Sequence, residues 1–221
     1  YKNTAKAPER EKPAQFSEVA EDKITLDEFM AQMTDDELIS MVSGIQNRGV
    51  ANTCGMGGID RLGIPSFMTA DGPAGVRIMP KVNIATTAFP CATLIACSWN
   101  TELMYEIGRA GALECKENGL AVWLTPALNI HRNPLCGRNF EYYSEDPVLS
   151  GMIAASTIRG AQDKGVIVTI KHFILNNEET NARSGIHCWI NEQAFRELYL
   201  RPFEISVKEG GANGAMSAFT H

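Results

Sequence analysis

Two kinds of apolar run alternate along this chain. Short unbroken stretches at 64–69 (IPSFMT), 120–124 (LAVWL), 166–170 (VIVTI) and 214–219 (GAMSAF) have the continuous hydrophobicity of buried strands. The segments between them carry helix signals. Thr25 opens a first helical stretch (TLDEFMAQM), and Thr34 caps a second, with Asp35, Asp36 and Glu37 at the positive end of its dipole and Gly44 as its stop. Asn100 opens a helix that Gly119 ends, with Leu103, Met104, Ile107, Ala110, Gly111 and Leu113 toward one face. Asp146 caps another, with Pro147 at its first position and Gly165 past its end. A third long helix covers 191–209, kinked near Pro202. Residues 84–97 are apolar and small, broken by Pro90. The glycine-rich stretch 47–63 reads as an irregular loop. Its GMGG lacks the preceding strand and following Lys-Ser/Thr that a phosphate cradle needs.

The strand-like runs start roughly 45 to 55 residues apart, which leaves room for a crossover helix and a long loop each time. Apolar strands alternating with helices predict a parallel sheet covered by helices. The polar residues of interest all follow strand ends: Asp71, the loop 129–147 (NIHRNPLCGRNFEYYSEDP), Lys171-His172, and Phe219 to His221. The loop 129–147 is too polar and too punctuated by Pro134, Gly137 and Pro147 to be a helix interior or a central strand. Chemistry gathered on the carboxyl side of every strand is what a (β/α)8 TIM-type barrel predicts. A doubly wound sheet shares that property but would carry a GxGxxG fingerprint, which is absent. With the weaker apolar runs counted, about six of eight barrel strands are expected, so the barrel is incomplete in this chain.

Composition narrows the classes. With 221 residues, 44% hydrophobic and 21% charged, the chain can bury one sizeable core. A net charge of −6 gives no basic patch for nucleic acid, and no apolar run approaches a membrane span. Residues 1–24, rich in Lys, Glu, Pro and Ala, read as a linker or N-terminal arm without a signal peptide, ahead of a domain at 25–221. The six cysteines form no CxxC pair, so small buried thiols and a cytoplasmic setting are expected. No HxH or HExxH spacing calls for a metal, and no cofactor is expected.

Four motifs, DGPAGVR (71–77), NIHRNP…GRNFEYYSEDP (129–147), KHF…NNEET (171–180) and AMSAF (215–219), resemble glycoside hydrolase family 3, in particular the barrel domain of its bacterial β-glucosidase-like members. The resemblance covers about residues 25–221, with the motifs in the right order and spacing. It implies an irregular barrel joined to an α/β sandwich domain, and retaining hydrolysis of a terminal β-linked sugar. It also implies a sugar pocket. Asp71 matches a carboxylate accepting from two hydroxyls, Arg138 a hydroxyl-binding guanidinium, Lys171 and His172 a pair that holds hydroxyls, and Met216 an apolar wall. The family often has an Arg eleven residues after the Lys; Ala182 stands there and Arg183 follows, so Arg183 takes that role. Many relatives have a Tyr touching the nucleophile where this chain has Phe219. The nucleophile itself, an Asp at the next strand end, falls beyond His221, so the chain is expected to be an inactive fragment that depends on the rest of the barrel.

Each residue also has a plain structural explanation. Asp71 could shape its Gly-Pro turn, and Lys171 could snorkel to the surface. Arg132, Arg138 and Glu141 could form an ion-pair network, Glu145 and Asp146 suit a helix start, and Glu178 and Glu179 suit loop anchoring. Tyr142, Tyr143 and Trp99 suit packing. Competing functions are β-xylosidase or α-arabinosidase, a non-catalytic carbohydrate-binding remnant, and a lyase or aldolase needing a Schiff-base lysine. A β-N-acetylglucosaminidase would carry KHFPGHG, where this chain reads KHFILNNEET.

Overall fold

The structure, a computed structural model, describes residues 4–181 and 183–220. The departure at Ala182 and the end at His221 lie outside the described residues. Two compact units are present, Tyr1–Thr69 and Ala70–His221.

The first unit opens with α1 (Phe16–Ala20), α2 (Leu26–Met30) and α3 (Asp35–Ser43). Thr25 and Thr34 each accept from the backbone of a glutamate three residues on, whose carboxylate bonds the cap's own N–H in return. This reciprocal box satisfies two orphan donors per helix and explains why such short helices hold. Gly44 ends α3 with φ +72, as its sequence predicts. The glycine-rich stretch contains a strand rather than only loop: β1 (Met56–Ile59) pairs antiparallel with β2 (Ile64–Phe67). Gly57 and Gly58 have φ of +76 and +87, and Pro65 O and Ser66 Oγ occupy the space their Cβ atoms would take. The run at 64–69 is thus two strands, and of β2 only Ile64 is buried. Phe29, Ile59, Leu62 and Ile64 form this unit's core.

The second unit is built on a sheet of order β3-β4-β5-β6 (Thr69–Asp71, Val122–Leu124, Ile167–Phe173, Gly214–Ser217). β5 pairs parallel with both β4 and β6. The apolar run 84–97 holds a short helix, α4 (Ala92–Ala96), after Pro90. Among the described residues, six strands occur but only four share this sheet, the other two forming the separate hairpin. Helices α5 (Thr101–Glu117), α6 (Pro147–Gln162) and the pair α7 (Glu192–Ala194) and α8 (Arg201–Lys208) connect successive strands. A π-helical turn, Phe195–Tyr199, joins α7 to α8, where Pro202 has no N–H to continue the regular ladder.

The buried face of α5 is Met104, Gly108, Gly111, Ala112 and Cys115, while Leu103 and Leu113 are exposed. The small residues win because α5 lies close to its neighbours: a Cβ on Gly108 would sit 2.1 Å from Thr157 O, and one on Gly111 would strike the Trp123 ring. Asp146 caps α6 through a 2.6 Å bond from Leu149 N–H. Val122, Trp123, Val168, Ile170, Ile153 and Ile158 are buried around the sheet. Of the six thiols only Cys115 and Cys136 are buried; Cys54 and Cys97 are exposed, against the expectation of a buried set. No helix among the described residues is long and apolar enough to cross a membrane.

Candidate functional site

Parallel β5 delivers Lys171 and His172 at its carboxyl end, both 2% exposed. A lysine buried to that extent needs a charge partner, because the interior does not replace the hydration of an ammonium. Asp71, at the end of β3 and 100 residues away in sequence, supplies it: Lys171 Nζ donates to Asp71 Oδ1 at 2.5 Å. The contact reaches past β4, which lies between the two strands and stops at Leu124. Arg77 Nη1 approaches the other carboxylate oxygen at 3.2 Å. Burial is the strongest single influence on Asp71 and works against its charge, but the Lys171 ammonium, the Gly72 amide and Arg77 together outweigh it and hold the carboxyl below its ordinary range. The aspartate is therefore an ionised acceptor, partly open to solvent, beside a fixed ammonium.

The loop between β4 and α6 contributes Arg138, just before the 3-10 turn Asn139–Glu141. Arg138 Nη2 pairs with Glu141 and also donates to His172 Nε2 at 2.9 Å, and Nη1 lies 3.5 Å from Glu179 Oε1. Nη1 is itself buried and, beside that ion-pair approach to Glu179, makes no hydrogen bond among the described residues. Burial, Arg138 and Lys171 push the His172 ring down to about 2, so it is neutral at working pH. Asn129 fixes the His172 main chain: its Oδ1 accepts from His172 N–H at 2.9 Å and its Nδ2 donates to His172 O at 3.0 Å. Asn177 Nδ2 ties the next loop to Ile130 O at 2.6 Å.

Four of the six residues singled out from sequence thus form two contacting pairs at the carboxyl ends of the strands: Asp71 with Lys171, and Arg138 with His172. Arg183 is half-exposed, 3.8 Å from Glu179 Oε2, with its guanidinium 4.6 Å above the Phe219 ring. Met216 is half-buried on β6, beside β5. Arg132 stands apart from the expected ion-pair network and donates to Tyr199 Oη at 2.7 Å. It lines a cavity of about 240 Å³ with Glu178 and Trp189, which none of the six residues borders. Among the described residues no group of three or more His, Cys, Asp or Glu is placed to hold a metal ion.

Sequence reasoning missed Asn129, Tyr142 and Asn176. Nothing in their local sequence separates a polar side chain that props a neighbour from one that faces solvent. Only their burial and their partners do so.

Charged donors and an ionised acceptor held on rigid strand ends are suited to hydrogen-bonding neutral hydroxyls. Residues 58–221 match the glycosyl hydrolase family 3 N terminal domain. The chain is 54% identical over 202 residues to beta-glucosidase A of Butyrivibrio fibrisolvens, covering 91% of this chain and 24% of that protein. It is 42% identical to a beta-glucosidase of Ruminococcus albus, covering 92% of this chain and 22% of that protein. Among solved structures, beta-glucosidase 3B from Thermotoga neapolitana in complex with alpha-D-glucose superposes with a TM-score of 0.81 at 45% identity, covering 86% of this chain and 28% of that one. A beta-glucosidase from Paenibacillus barengoltzii superposes with a TM-score of 0.88 at 37% identity over 98% of this chain and 24% of that one. The chain spans about a quarter of the length of these relatives. With both the sequence model and the superpositions covering most of its length, the chain belongs to glycosyl hydrolase family 3.

Proposed function

We propose that the protein carrying this chain is an exo-acting, retaining glycoside hydrolase of the β-glucosidase type, and that these residues wall its pocket for the terminal sugar. The carrying observation is the Asp71–Lys171 pair beside Arg138 and His172. Asp71 accepts from sugar hydroxyls, Lys171 and Arg138 donate to them, and Met216 and Arg183 border the pocket. A retaining glycosidase needs two carboxyls about 5–5.5 Å apart, one nucleophile and one acid/base. Asp71, Glu141 and Glu179 already serve cations. The reading therefore assigns both catalytic carboxyls to parts of the protein beyond these residues, in the remainder of a (β/α)8 barrel and an α/β sandwich domain.

The test is hydrolysis of aryl glycosides by the protein carrying these residues. An aryl β-glucoside is expected to turn over faster than the β-xyloside or β-N-acetylglucosaminide, with Asp71→Ala lowering kcat/KM about 100-fold or more through lost charge-assisted bonds. Residues 1–221 alone are expected to give no turnover. Absence of aryl glycoside hydrolysis by the longer protein, or turnover by residues 1–221 alone, overturns the reading.

A further inference from the structure

His172 has two ring nitrogens, and their environments differ. Arg138 can only donate, so the 2.9 Å contact from its Nη2 requires a lone pair on His172 Nε2. A neutral imidazole then carries its proton on Nδ1. That nitrogen faces Tyr142 Oη at 3.4 Å, in a buried edge-on contact between the two rings. Tyr142 Oη is itself held: Asn176 Nδ2 donates to it at 3.0 Å, and Asn176 O, at 3.3 Å, takes its proton. Asn176 Nδ2 also donates to Glu179 Oε1 at 2.8 Å, and Glu179 faces Arg138 Nη1. The contacts close a ring from Arg138 through His172, Tyr142, Asn176 and Glu179 back to Arg138.

We propose that Tyr142 and Asn176 are positioning residues that hold the Nδ1–H tautomer of His172, so that its Nε2 lone pair accepts from Arg138 Nη2 and aims the guanidinium that the proposed function places at the ligand pocket. Tyr142 provides the acceptor for Nδ1–H, and Asn176 keeps the Tyr142 hydroxyl proton turned away from the ring. Tyr142 and Asn176 touch no ligand in this scheme and act only through His172. The assignment to sugar rests on the proposed function, but the tautomer does not.

Nitrogen-15 NMR of the histidine-labelled protein carrying these residues reads the tautomer directly, with His172 assigned by His172→Gln. The expected spectrum has His172 Nδ1 as the protonated and Nε2 as the unprotonated nitrogen. A protonated Nε2 in the unsubstituted protein overturns the proposal without any Tyr142 variant. Tyr142→Phe keeps the ring and removes the acceptor. It is expected to shift the His172 population toward Nε2–H and to lower kcat/KM on an aryl β-glucoside about tenfold, the worth of one hydrogen bond. The loss should lie in KM, because His172 holds ground state and transition state alike. A packing defect would instead lower kcat at constant KM through a smaller active fraction, and that result overturns the proposal. An unchanged tautomer in a folded Tyr142→Phe protein also overturns it. The expected tautomer in a protein that hydrolyses no glycoside supports this inference while removing the functional reading.

Discussion

Replacing Asp71 by Asn keeps the side-chain shape and removes the carboxylate that pairs with Lys171. The lysine side chain is 2% exposed and the aspartate 26%, at a separation of 2.5 Å. Two unit charges at that distance attract by about 7 kcal/mol at an effective dielectric of 20, and most of this offsets the desolvation of the ammonium. Taking one partner from a buried pair costs about 3–5 kcal/mol. The solvated edge of Asp71 and the dipole left on Asn put the expected loss near the lower figure, about 3 kcal/mol. Urea unfolding of the protein carrying these residues measures it, with an unchanged m-value marking a stability effect alone. Adding Lys171→Met to Asp71→Asn should recover all but about 1 kcal/mol, because an apolar pair can replace a buried ion pair at little cost. The double variant should remain unable to bind sugar, which separates the structural role of the pair from its functional one. A loss under about 1 kcal/mol in Asp71→Asn, or no recovery in the double variant, refutes the reasoning.

Two further outcomes follow from packing and protonation. Gly108→Ala drives a Cβ to within 2.1 Å of Thr157 O, a backbone atom with no rotamer to yield. It should cost about 2 kcal/mol by overpacking, read as a lower Tm, whereas Gly185→Ala, with open space around it, should be near neutral. The His172 ring, neutral when folded with its pKa pushed down to about 2, takes a proton near 6.5 once unfolded. Its contribution to stability is thus complete above that value and is lost as pH falls toward the folded pKa. Between pH 6.5 and 5 the protein should lose about 2 kcal/mol that His172→Gln does not lose, as measured by denaturant titration at each pH.

Local rules made much of the fold readable in advance. Thr25, Thr34, Asn100 and Asp146 cap where their short side chains can reach the first-turn amides, and Gly119 and Gly165 take the positive φ that ends a helix cheaply. The VIVTI run became the central strand because continuous β-branched residues suit a strand covered on both faces. Where the reading failed, the deciding contacts came from distant residues. The hairpin of β1 with β2 depends on a partner strand meeting a glycine-rich segment. The buried stripe of α5 depends on how near Thr157 and Trp123 come to it, which favours Gly108 and Gly111 over the larger Leu103 and Leu113.

The candidate site divides along the same line. Residue types and spacing alone put Asp71, Arg138, Lys171 and His172 at strand ends, because a parallel sheet sends every carboxyl end to one side. Tertiary structure decided which of them touch: Lys171 meets Asp71 across 100 residues of chain, and Arg138 meets His172 across 34. It also drew in Asn129, Tyr142 and Asn176, because the buried His172 ring and main chain and the Tyr142 hydroxyl that faces the ring must have their donors and acceptors met, and the groups that meet them are chosen by proximity in space and not along the chain.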